Sequence, residues 1–179
     1  MPTHFDPFRS RLARDIRNNL SKAFLRALAE SDVSLFQKCG EDYLQRKLGS
    51  AYAQYVTSRL ARYEEAYEII ARKELRQILQ QAALLWDLGL YFEMHELLER
   101  EWKKAEGDRH RALQGLIRAA GMKIHAENNN EKAAASMGSK ALRDLVRHHD
   151  ELAGFLKLDA ILADIRQTIS RIQSNARLD

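Results

Sequence analysis

The densest grouping of side chains able to do chemistry runs from Tyr91 to Trp102, YFEMHELLEREW. At about 100° per residue, Tyr91, Met94, Leu98, Trp102 and Ala105 form an apolar helical stripe, and His95 and Glu99, four residues apart, project together from its edge. Phe92 lies just beyond that pair. Glu93 and Glu96 point elsewhere, so the acids are not one carboxylate cluster and a four-carboxylate di-metal site on this helix alone is excluded. A second polar row follows His110. There Leu113, Leu116, Ile117, Ala120 and Ile124 make the core stripe, and Gln114, Arg118, Gly121 and His125 line its edge in steps of four, three and four. If the two rows face each other across an antiparallel pair, His95, Glu99, Gln114, Arg118 and His125 share one interhelical space. Phe92, Glu96 and Trp102 complete the candidate pocket.

Three chemistries compete for these residues. The simplest is a hydrogen-bonded His95–Glu99 pair that lets a polar helix edge be buried, since buried polar groups must be satisfied. A mononuclear metal site needs three or more converging nitrogen or oxygen ligands, and His95, Glu99 and His125 are the three that could meet. H-E-x-x-H is absent because position 99 is Glu, so that zinc motif cannot be invoked. Arg118 also opposes a metal. A fixed cation beside His125 repels a divalent ion, whereas it pairs well with Glu99 or with an anionic ligand. The third reading is a small organic or anionic ligand held by Arg118, His95, Gln114 and Trp102. We therefore expect no metal and no cofactor, and a non-catalytic binding protein with a small polar pocket. A metal-dependent hydrolase using His95, Glu99 and His125 is the alternative. Gly121 costs a helix interior about 1 kcal/mol relative to Ala, so another helix or a ligand is expected to approach the backbone there.

The elements that must position these residues read as helices. Both prolines, Pro2 and Pro7, fall in the first seven residues, and a fold rich in tight turns and strands is poorly served by that. The expected fold is all-α, a bundle of about seven or eight helices built from antiparallel hairpins. Asp6 and Pro7 read as the cap and first position of a helix running to about Ala29, with Phe8, Leu12, Ile16, Leu20, Phe24 and Leu28 at i+4 spacing. Ser31 and Asp32 offer the next cap, with a stop at Gly40 or Gly49. The stretch 50–89 exceeds a usual helix and reads either as one long helix or as two joined near Arg72, a break or kink being favoured without a fixed position. Two helical hairpins follow, turning at Leu88-Gly89 and at Asn128-Asn129-Asn130, residue types that close a helix at little steric cost. After Gly154, Leu158, Ile161, Leu162, Ile165, Ile169 and Ile172 form a capping helix, and Ser174 to Asp179 reads as a frayed end. Glu101 is expected at a helix end, reaching water. His148-His149 reads as a solvated C-terminal turn. Residues 1–75 are expected to pack as a helical extension against a core spanning 76–179.

Charge and composition narrow the partners. Lys and Arg exceed Asp and Glu by 29 − 25 = +4, ordinary for a protein that avoids self-association and too little to imply nucleic acid. Arg9, Arg11, Arg14 and Arg17 spread around their helix with no aromatic interleaving, which again argues against nucleic acid. The single Cys39 excludes an internal disulfide framework and fits a reducing compartment. Arginines stand where a signal peptide needs apolar residues, and no run of about 18 apolar residues occurs, so no membrane association is expected and a cytoplasmic location follows by exclusion. Consecutive helix pairs also suit a partner-binding scaffold, although the 34-residue period and markers of tetratricopeptide repeats are not met. On that reading a protein partner or a second copy of the chain is engaged through helices 1–3.

The strings YFEMHELLEREW, QGLIRAAGMKIH and NNNEKAAASMGSKAL resemble the bacterial and archaeal family known as domain of unknown function 309. The resemblance covers roughly residues 80–150. It is carried by Phe92, Glu93, His95, Glu96, Glu99, Trp102, Gln114, Gly115, Leu116, Ile117 and His125. It implies a compact all-helical domain, and motif appearance has led to the family being labelled a predicted metal-dependent hydrolase. Arg118 stands where the family usually has an uncharged Gln, and Asn129-Asn130 stand where it prefers Gly-Asn. Residues 1–75 lie outside the resemblance.

Overall fold

The computed structural model describes residues 4–153, 155 and 157–175. Among these residues there are eight α-helices, one 3₁₀ turn and no strand, the all-α architecture expected of a chain whose two prolines both fall in its first seven residues. The chain divides into two compact units, Met1–Leu75 and Arg76–Asp179.

The first unit holds α1 (Arg11–Glu30), α2 (Ser34–Gln45) and α3 (Ser50–Arg72). Its core is aromatic. Phe24 stacks on Tyr63 with ring centres 4.4 Å apart, and Phe36 meets both edge-on at 5.9 and 5.7 Å. All three are fully buried.

The start of α1 departs from expectation. Its cap is Ser10, whose hydroxyl accepts from the Ala13 amide at 3.2 Å. Asp6 instead closes a separate turn, accepting from the amides of Phe8 at 2.8 Å and Arg9 at 3.2 Å. Phe8 and Leu12 are each 39% exposed, so no buried stripe requires the helix to begin at Pro7. Asp32 caps α2 as expected, accepting from the Ser34 amide at 3.0 Å. Its hydrogen bonds with Ser34 hold the carboxyl below its ordinary range. Gly40 is no stop: it lies buried within α2, where an added Cβ would stand 2.5 Å from Leu60 Cδ1 of α3. The chain turns instead at Lys47 (φ 50°) and Gly49 (φ 109°). Of the two readings of the stretch 50–89, the structure has two helices: α3 ends at Arg72, and Glu74 stands at φ 49° ahead of α4.

The second unit contains α4 (Ile78–Asp87), α5 (Tyr91–Trp102), α6 (Gly107–Glu127), α7 (Glu131–Arg147), the 3₁₀ turn His149–Leu152 and α8 (Leu158–Asn175). Both hairpin turns fall where the sequence puts them, with Gly89 at φ 65° and Asn129 at φ 56°. The core face of α5 is rotated from the expected stripe. Glu93, Met94, Leu97 and Leu98 are its buried residues, while Tyr91 and Trp102 are half-buried and Ala105 lies past the helix end. Helix α6 packs against α5, α7 and α8, which is why Ala112, Gly115, Ala119 and Gly121 are buried beside the apolar stripe and Ile124 is less so. Ser174 and Asn175 belong to α8 rather than to a frayed end; residues 176–179, with Pro2 and Gly154, lie outside the described residues. Lys123 fastens α8 to α6 through Asp164 at 2.9 Å, its ammonium also 5.3 Å from the Tyr91 ring and 5.7 Å from that of Trp86.

The approach expected at Gly121 is that of another helix. A Cβ there would meet Met137 Sδ at 2.8 Å, and one at Gly115 would meet Leu145 Cδ2 and Cγ at 2.9 Å. The two positions differ in what can give way. Met137 offers the far end of a flexible side chain, while Leu145 is fully buried. Gly115→Ala should therefore lower unfolding stability by about 1–3 kcal/mol through overpacking, outweighing about 1 kcal/mol of gained helix propensity. Gly121→Ala should be close to neutral. Urea unfolding of both variants checks this; equal behaviour would contradict the packing account.

Candidate functional site

The two polar rows do not form one chamber. His95 Nδ1 lies 3.4 Å from Glu96 Oε1, and its ring is parallel to that of Phe92 with centres 6.3 Å apart. Glu99 turns to Lys103, 3.3 Å away just past the end of α5. The expected His95–Glu99 pair is thus absent: Glu99 has Lys103, and His95 Nδ1 is buried beside Glu96 with no hydrogen-bond partner among the described residues. His125 Nδ1 is 3.0 Å from the Asn130 amide nitrogen at the α6–α7 turn. Burial pushes the His125 imidazole below its ordinary pKa.

Trp102 packs on His110 with ring centres 4.6 Å apart, and this contact fixes the level of α5 against α6. His95 lies seven residues back along α5 and His125 fifteen residues on along α6, so at 1.5 Å per residue their levels differ by about 12 Å. Among the described residues no three His, Cys, Asp or Glu side chains gather as a metal-ligand group. His95, Glu99 and His125 consequently do not make the ligand set that the hydrolase alternative requires.

Gln114 and Arg118 do share a space, with partners from α7 instead of α5. They line a groove of about 430 Å³ together with Gly107, His110, Arg111, Arg143 and Asp144. Arg118 Nη1 donates to Asp144 Oδ2, and Arg143 Nε lies 3.3 Å from Asp144 Oδ1. One carboxylate therefore bridges two guanidinium groups. Its side chain is 15% exposed and that of Arg118 32%, so water screens the pair less than it does a surface ion pair. Arg111 is exposed on the same rim. The expected partner for Arg118, Glu99, is not the one it takes.

Several residues escaped the sequence reading. Asp144, Arg143, Arg111 and His110 were not marked, yet the hairpin turn carried the signal. Pairing residues at equal distance from Asn129-Asn130 brings Arg118 opposite the stretch 141–144, which contains the carboxylate. Glu93 is fully buried, and the signal was its position between Leu90 and Leu97 on the apolar face. His148 is also more enclosed than a solvated turn implies: its side chain is 9% exposed and lies 3.2 Å from Asp108, while His149 stays open at 62%. Glu101 behaves as expected at the helix end, 38% exposed and 3.0 Å from Lys104. Trp102 is half-buried, and its Nε1 has no hydrogen-bond partner among the described residues.

Residues 79–137 match the family model described as Domain of unknown function (DUF309), in agreement with the motif residues between Phe92 and His125. The match spans α4 to α6 and the first part of α7. Arg143 and Asp144 lie beyond it. No curated protein and no solved structure matches the chain. Among the described residues, no helix is long and apolar enough to cross a membrane.

Proposed function

We propose that residues 76–179 bind a small anionic ligand in the groove between α6 and α7, without converting it. The observation that carries this reading is the imbalance of the lining: Arg111, Arg118 and Arg143 face one carboxylate, Asp144. Guanidinium groups present fixed forks of donors suited to oxyanions, and charge-assisted hydrogen bonds are about twice as strong as neutral ones. Gln114 adds an amide able to donate and accept, and His110 presents an imidazole backed by Trp102. A volume of about 430 Å³ lies within the range of about 300–1,000 Å³ common for small-molecule sites. The lining is rich in donors and cations, which favours holding an anion over activating a nucleophile. Relative to the pocket expected from sequence, this reading keeps Gln114 and Arg118, retains Trp102 as the support behind His110, and sets Phe92, His95, Glu96, Glu99 and His125 aside.

Calorimetric titration with inorganic phosphate tests the reading. One phosphate per chain is expected, with affinity falling as sodium chloride is raised. Arg111→Gln removes a cation that makes no ion pair or hydrogen bond among the described residues, so affinity should drop by about 3- to 10-fold with an unchanged melting temperature. A variant that binds phosphate as tightly as the parent would place binding elsewhere.

A further inference from the structure

We infer that the groove selects a compact dianion, a phosphate monoester, over singly charged anions; this rests on the anion-binding reading above. Two observations support it. The first is charge: three guanidinium groups less one carboxylate leave 3 − 1 = +2 on the lining. A single negative charge leaves that field half-neutralised, whereas a phosphate monoester, at about −1.5 to −2 near neutral pH, balances it. The second is geometry. Arg118 and Arg143 already converge on the two oxygens of one carboxyl group, Asp144. Cations that meet at one small oxyanion suit a ligand whose two charges sit on the same atom group, and they suit a dicarboxylate with separated charges less well.

Asp144 sharpens the selection. Its carboxylate occupies the position between two arginines that a ligand oxygen would seek, so an incoming anion must compete with a resident one. A monoanion exchanges one such contact for another and gains little. A dianion still gains, because Arg111 remains open to the second charge. Gln114 and His110 are left to meet the organic portion of the ester, for which a groove of about 430 Å³ has room beyond one phosphate group.

The test compares phenyl phosphate with methyl phenyl phosphate, which has the same ring and phosphorus centre but one charge, by calorimetry on the full chain. At pH 7.5 the monoester should bind about tenfold or more tightly than the diester. That preference should shrink toward unity by pH 5, because the second phosphate ionisation near pH 6 is reversed there and both probes then carry one charge. Succinate should bind no better than the diester. A diester, succinate or oligothymidylate that binds as tightly as phenyl phosphate at pH 7.5 overturns the dianion inference while leaving an anion-binding groove. If none of these probes binds, and inorganic phosphate does not either, both readings fall.

Discussion

Arg118→Ala is expected to weaken inorganic phosphate binding by about 100-fold, the largest loss of any single substitution in the groove. Two effects act in the same direction. The substitution removes a guanidinium from the lining, and it releases the Asp144 carboxylate from its main partner, so the groove loses a positive charge and unmasks a negative one. Each change of one unit charge at contact range is worth about a factor of ten in a groove open to water, where screening keeps the interaction near the ~1 kcal/mol of a 4 Å pair in water. Arg118→Lys keeps the charge and loses the fork, and an intermediate loss of about tenfold is expected. The double variant Arg118→Ala/Asp144→Ala should recover about tenfold over Arg118→Ala, because the unmasked carboxylate is gone. Stability follows a parallel course. Asp144 is 15% exposed, and stranding it costs about 1–3 kcal/mol, most of which the double variant should regain. Titration and urea unfolding of the four proteins measure both quantities. A double variant no better than Arg118→Ala in affinity would mean that Asp144 does not oppose the ligand.

Phe24→Ala should destabilise the first unit by about 3–5 kcal/mol, the usual range for truncating a fully buried aromatic. Phe24 is 0% exposed, stacks on Tyr63 at 4.4 Å and is met edge-on by Phe36 at 5.9 Å. Removing its ring leaves a cavity walled by two other rings. Stiff aromatic neighbours collapse poorly into such a space, and the aromatic pair terms of about 0.5–1.5 kcal/mol are lost with the ring. Phe24→Leu retains most of the volume and should cost about 1–2 kcal/mol. Equilibrium urea unfolding followed by tyrosine fluorescence reports mainly on this unit, since five of the six tyrosines, Tyr43, Tyr52, Tyr55, Tyr63 and Tyr67, lie in α2 and α3, while Tyr91 and both tryptophans, Trp86 and Trp102, lie in the second unit. A loss below about 1 kcal/mol for the Ala variant would show that the aromatic trio is not the centre of this core.

Local chemistry by itself determined the helices and most of their ends. Proline confined to the first seven residues, apolar positions at helical spacing, Gly89 and Asn129 in the left-handed conformation, and the Asp32 cap all act over a few residues. That the stretch 50–89 is long for one helix was legible in the same way, while the place of its break after Arg72 was not. The motif residues from Phe92 to His125 were likewise enough to mark the similarity to the family of unknown function, because that pattern is a property of the chain and not of its packing.

The tertiary structure alone decided which polar edge meets which. Periodicity gives the angle of a side chain around its own helix and leaves open which neighbour faces that angle, and α6 has neighbours on more than one side. Gln114 and Arg118 therefore looked like partners of His95 and Glu99, yet they line a groove with Arg143 and Asp144 of α7. Gly115 and Gly121 let α7 come close enough for that. Glu99 found a partner in Lys103 just past the end of α5, and His95, whose Nδ1 lies 3.4 Å from Glu96 without a hydrogen bond among the described residues, stays beside its own helix. Conversely, Glu93 sits on the face of α5 that the core claimed, and a small rotation of the helix buried a carboxylate that angular reckoning from Tyr91 and Trp102 had turned away. Rotations of that size change the burial of whole rows of residues while leaving the helical spacing untouched, and only the packed neighbours fix them.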